Sequence, residues 1–149
     1  MSSLINATEP MYQLGVSDMD QTHLEFIDLV NQLGLAQEQN FVVLFSQLLE
    51  HTENHFSSEM QLMQETGFAA IREHTDEHLR VLGEMQRIGK KVASGSTMLA
   101  KAYVTQQLPQ WFHLHAITMD SALAAHIKAR SVAPGDISGD LSFDITGQG

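Results

Sequence analysis

Apolar and polar positions along this chain repeat with a helical period in four stretches, and no stretch alternates convincingly as a strand. The first, about residues 18–34, sets Met19, Phe26, Ile27, Val30 and Leu33 on one face. Ser17 followed by Asp20 resembles a capping box at its start. The second begins near Asn40 as N-cap, carries Phe41, Leu44, Phe45 and Leu48, and ends at Gly67. The third covers about residues 68–92. Its seam reads Ile71, His74, His78, Val81, Met85, Ile88 and Val92, with two histidines in core positions. The fourth runs from about Thr97 to Arg130, and Pro109 in "QQLPQWF" predicts a kink or a restarted helix.

Four helices with short connections predict an all-α fold, an antiparallel up-down-up-down four-helix bundle over residues 17–130. Residues 1–16 make an N-terminal arm with Tyr12, Leu14 and Val16 as packing handles. Residues 131–149, rich in Gly, Ser and Asp, read as a flexible or loosely docked tail.

At 149 residues the chain has the length of one ordinary domain with a real core. Eight Lys and Arg against 18 Asp and Glu give a net charge of −10, which argues against nucleic acid and anionic membranes. The absence of cysteine fits a reducing compartment and excludes a thiolate metal site. "MSSLINATEP" has no basic region or apolar run of a secretory signal, and no stretch reaches the roughly 18 apolar residues of a membrane span. A cytoplasmic location is the expectation. The unusual feature is eight histidines.

Their heights in the bundle can be compared. With alternating helix directions and about 1.5 Å of rise per residue, His23, His55, Glu59, His74, His78 and Asp120 fall in one cross-section. His115 joins them once the fourth helix is allowed to overhang, and His51 lies a turn higher. "HTDEH" and "HFSSE" stack their ends at i, i+4. "HAITMD" does not, because five residues turn an α-helix by about 140°. So many buried ionisable groups in one layer are costly unless something binds them all, and a metal centre does. Seven donors exceed one tetrahedral zinc; imidazole with carboxylate suits iron or manganese, and two carboxylates that can bridge suit two metals.

With "LGVSDMDQTH", "HFSSE" followed by Met63, "HTDEH", "WFHLH" and "HAITMD", over residues 12–126, the chain resembles the bacterial hemerythrins. Met60, where many relatives carry a second Glu, and the tail depart from that pattern. The resemblance implies two iron ions bridged by Glu59, Asp120 and an oxo or hydroxo group. It assigns His74, His78 and His115 to one iron and His23 and His55 to the other. Counting ligands then leaves the second iron five-coordinate, and dioxygen, the implied partner, is taken up there as hydroperoxide. Reversibility needs a dry pocket, for which the ligand-facing offsets nominate Ile27, Phe56, Met63, Trp111, Phe112 and Met119. His113 and His126 are expected off the site, and His51 beside it.

The expected function is therefore reversible dioxygen binding for storage, delivery or sensing, without a catalytic residue. A redox enzyme turning over peroxide or nitric oxide, or iron handling, are the alternatives. Ferritin-like di-iron enzymes fit less well, since they use Glu-x-x-His pairs. A sensor would need a protein partner to supply its output, and oligomeric state is left open.

Overall fold

The structure, a computed structural model, describes residues 3–131. Four helices follow one another: α1, Ser17–Leu35; α2, Glu38–Thr66; α3, Ile71–Ala93; and α4, which runs on through Met98–Ala102, Tyr103–Gln107, Leu108–His115, Ala116–Asp120 and Ser121–Ser131. They form the antiparallel up-down-up-down bundle that the periodicity predicts, with no strand among the described residues. Most of the tail lies outside the described residues.

The first three helices bury most of the stripe read from the sequence, with Leu44 and Ile71 only half-buried. On α1 it is Met19, His23, Phe26, Ile27, Val30 and Leu33; on α3 it is His74, His78, Val81, Met85, Ile88 and Val92. The helix starts differ from expectation. No side chain caps α1, whose N-cap is Val16, and Asp20 instead accepts hydrogen bonds from the backbone N–H of Leu14 (2.8 Å) and Gly15 (3.1 Å). Asp20 thus ties the arm to α1 rather than closing a capping box. Asn40 is not an N-cap either: α2 starts two residues earlier at Glu38, whose carboxylate takes the Thr97 hydroxyl and the Lys101 ammonium (2.7 Å). The third helix starts at Ile71, three residues after Phe68, where the expectation had it begin. Gly67 closes α2 as expected, in the left-handed conformation (φ 64°) that glycine adopts without penalty.

Pro109 does not end α4: regular α-helix resumes at Leu108 with the proline in the first turn of Leu108–His115, in line with the expected restart. The turn before it, Tyr103–Gln107, is a π turn, and widening the helix there relieves the proline's clash with the preceding turn. A second π turn, Ala116–Asp120, has no proline to announce it.

The arm packs on α1 and α4. Asn31 exchanges two hydrogen bonds of 2.9 Å with the backbone of Ile5, which is buried. Tyr12 and Leu14 are buried as well; the Tyr12 ring lies 5.2 Å from Phe112, and its hydroxyl is hydrogen-bonded with His113 Nδ1 at 2.9 Å.

The apolar core comes in two pieces. The larger runs from Phe26, Phe45, Leu48 and Met85 to Leu108 and Phe112. The smaller holds Leu14, Met19, Met63, Leu123 and Ala124 at the other side. A polar belt lies between them in sequence on α1, α2 and α4: His23 follows Met19 and precedes Phe26, Glu59 precedes Met63, and Asp120 precedes Leu123.

Candidate metal centre

The belt gathers all seven donors named from the sequence: His23 from α1, His55 and Glu59 from α2, His74 and His78 from α3, His115 and Asp120 from α4, every one buried. On α2 and α3 the i, i+4 spacing stacks the pairs directly. On α4 an ordinary helix would leave Asp120 about 140° from His115. The π turn Ala116–Asp120 removes that difference. Its wider turn holds one more residue, so i and i+5 stand where i and i+4 stand in an α-helix.

The donors fall into two overlapping groups, Glu59, His74, His78, His115 and Asp120 on one side, and His23, His55 and Glu59 on the other; within each, the donor atoms lie within 4.8 Å of one another. Each carboxylate faces both sides. Glu59 Oε1 lies 3.0 Å from His74 Nε2 and 3.5 Å from His78 Nε2, while its Oε2 lies 2.7 Å from His55 Nε2. Asp120 Oδ1 lies 3.2 Å from His74 Nε2 and 3.1 Å from His115 Nε2, while its Oδ2 lies 2.9 Å from His23 Nε2.

These atoms aim past one another. Asp120 Oδ1 is buried and accepts no hydrogen bond although two imidazole nitrogens stand beside it. His78 Nε2 and His115 Nε2 face each other at 3.1 Å. Donors bound to one ion at about 2.1–2.2 Å stand about 3 Å apart when they are neighbours in its coordination shell. The spacings here match, so the residues fit a metal on each side.

The charges suit a cation too. Burial and the charge of Asp120 push Glu59 up, but hydrogen bonds from His55 and His74 outweigh them and its carboxyl sits at about 2. Asp120 is likewise held well below its ordinary value, burial opposing and the neighbouring His115, His23 and His74 prevailing. Burial, with the charges of His74 and His115, drives His78 down to about 3 against the pull of Glu59, so its imidazole is neutral. For His74, burial is overcome by Asp120 and Glu59, and its pKa rises to about 9. His55 rises as well, burial again yielding to Glu59.

Aromatic rings pack against the ligand rings. Phe56 lies flat on His78, centroids 3.7 Å apart and 3° from parallel. Trp111 stacks on His115 at 4.7 Å, and Phe112 meets His23 edge-on at 5.4 Å. Of the remaining residues nominated for a dry pocket, Ile27 is buried in the larger core and Met63 in the smaller, and Met119 is half-buried in the π turn. A cavity of about 240 Å³ between α2 and α3 is lined by Met60, Leu79 and Leu82 and reaches Phe56 and His78.

His113 is exposed and bonded to Tyr12, and His126 turns away from the belt, its Nε2–H donating to Thr66 O at 2.8 Å. Sequence reasoning missed Glu77. Its carboxylate receives the Trp111 indole N–H at 2.7 Å and a two-pronged bond from Arg80, so it fixes the ring that backs His115. Arg80 lowers Glu77 to about 2, with Trp111 adding to the effect after burial's opposition. Only the i, i+3 Glu77–Arg80 spacing hinted at this arrangement. Phe68 was also unforeseen, packing edge-on against His74 at 6.2 Å.

No family model matches the chain. Over 117 residues it is 32% identical to a bacteriohemerythrin of Ralstonia nicotianae, covering 78% of this chain and 85% of that protein. The chain belongs to the bacteriohemerythrin family. A bacteriohemerythrin of Stenotrophomonas maltophilia is 25% identical over 120 residues, covering 78% of this chain and 77% of that one. Two crystal structures of hemerythrin mutants match this bacteriohemerythrin fold with a TM-score of 0.79 at 23% identity, covering 86% of this chain and 100% of theirs. As a bacteriohemerythrin-family chain it carries clustered His, Glu and Asp of a kind and spacing that can hold metal. No helix among the described residues is long and apolar enough to cross a membrane.

Proposed function

We propose that this chain holds two iron ions in the belt and binds dioxygen reversibly, acting as a binding protein rather than an enzyme. The observation that carries the reading is the division of each carboxylate: one oxygen of Glu59 and one of Asp120 each face two of the three histidines His74, His78 and His115, and the other oxygen faces the two-histidine side. His74, His78 and His115 would hold one ion and His23 and His55 the other, with Glu59 and Asp120 offering one carboxylate oxygen to each side. Bound there, two ferrous ions supply the electrons with which dioxygen is taken up and given back.

The chain's own residues set the conditions. Two ionised carboxylates offset part of the metal charge, and His78 offers a neutral nitrogen. The two-histidine side has one fewer side-chain donor, leaving room for an external ligand. Phe56, Trp111 and Phe112 keep the rings in place and shield them from water, which is what separates reversible binding from oxidation.

The test is optical. Protein loaded with ferrous iron under anaerobic conditions is exposed to oxygen, which is then removed. A visible charge-transfer band that appears with oxygen and vanishes on its removal is the expected result. One-way conversion to the ferric protein, with peroxide released or consumed, would overturn it in favour of redox turnover.

A further inference from the structure

His51 and His55 are one helical turn apart on α2, yet only His55 belongs to the belt. The His51 ring lies 6.3 Å from the His55 ring and is half-buried. Its Nε2 stands 3.2 Å from the backbone oxygen of Thr22 on α1, which can only accept, so Nε2 carries the hydrogen and donates. Its Nδ1 faces Glu25, also on α1, at 3.8 Å. Among the described residues no other side-chain hydrogen bond joins α1 to α2.

The place of this bond matters. Thr22 is the residue before His23, and His51 is the residue one turn before His55. The bond therefore links the two helices beside the two histidines that must meet at one ion. Apolar packing holds α1 against α2 elsewhere, and it is non-directional, so it tolerates a small axial slide. The His23 and His55 rings stand 5.4 Å apart with their donor nitrogens turned to different carboxylates. A slide of a fraction of an ångström would spoil their shared geometry. The other three histidines come from α3 and α4, whereas the hydrogen-bond and ion-pair partners of His51, Thr22 and Glu25, both lie on α1.

We propose that His51 is a positioning residue for the two-histidine half of the site: its bond to Thr22 fixes the register of α1 on α2 and thereby the bite of His23 and His55 on their metal. The inference rests on the metal reading given above, and it makes the two halves separable. Loss of the bond weakens one ion and spares the other.

The experiment compares the wild type with His51→Ala, His51→Phe and His51→Gln. Phe restores ring volume without a donor, and Gln returns an N–H at a similar reach. Each protein is loaded with ferrous iron anaerobically, and iron release to a chelator is followed alongside helical content by circular dichroism. Expected is biphasic release in which the Ala and Phe variants lose one of the two ions about tenfold faster, the effect of one lost hydrogen bond, while the other leaves at the wild-type rate. The Gln variant should behave as wild type. Unchanged release in the Ala and Phe variants overturns the proposal, and so does equal acceleration of both ions, which would mark a general loosening. If the wild type itself fails to take up a pair of ions, the metal reading falls instead.

Discussion

Phe56 lines the α2–α3 cavity together with His78, one face on the His78 ring and the ring tilted against Trp111. One ring thus covers a face of a ligand that itself borders that cavity. Replacing it with Ala should remove about 3 kcal/mol of stability and raise the autoxidation rate of the oxygen-loaded protein several-fold, read from the decay of its visible band. An unchanged decay would mean that water reaches the site by another way. At this scale the sequence was informative wherever spacing alone decides. His55 with Glu59 and His74 with His78 could be paired by eye, because four residues nearly close an α-helical turn. His115 with Asp120 could not, because their alignment depends on a π turn with no compositional mark. Glu77 was hidden for another reason: it acts through Trp111, from a helix that is distant in sequence.

The four helices were legible because each buries a continuous apolar stripe, and that stripe sets helix type, length and direction together. Helix starts were less so, since side chains such as Asp20 and Glu38 have competing partners that only the assembled bundle supplies. The second π turn offers an element-scale test. Deleting Thr118, an exposed residue within it, should return the turn to an α-helix with Asp120 at i+4 from His115, and iron content should stay near that of the wild type. Deleting Ser57 from the regular stretch between His55 and Glu59 rotates one donor from the other by about 100° and should abolish loading of two ions. Equal loss of iron in both deletions, measured per folded chain, would refute this account of the turn.

For the whole molecule, the belt couples folding, metal and protons. In the metal-free protein His74 titrates at about 9 rather than 6.5, so its contribution to stability is complete below 6.5 and is lost as the pH rises through 9. His55 shifts in the same direction. The melting temperature of the metal-free protein should therefore fall from pH 6.5 to above 9. Iron needs the unprotonated ring, so the added stability on loading should grow over the same interval, with protons released as iron binds. Calorimetry on both forms checks this, and a flat metal-free profile would contradict it. That the donors would share a level was readable from helix lengths alone; how they divide between two sides was not, because each carboxylate's two oxygens are set by packing from three helices. The belt also interrupts the core. Leu14, Met19, Met63, Leu123 and Ala124 form a small apolar body with little contact area of its own, and such a body opens at low free energy when left alone. Without metal, the end of the bundle that it closes should be the part whose backbone amides exchange first with solvent, as hydrogen exchange would read. Metal held by residues from all four helices would turn the two cooperative units into one, so the occupancy of the site should be read in the breathing of a region that never touches it.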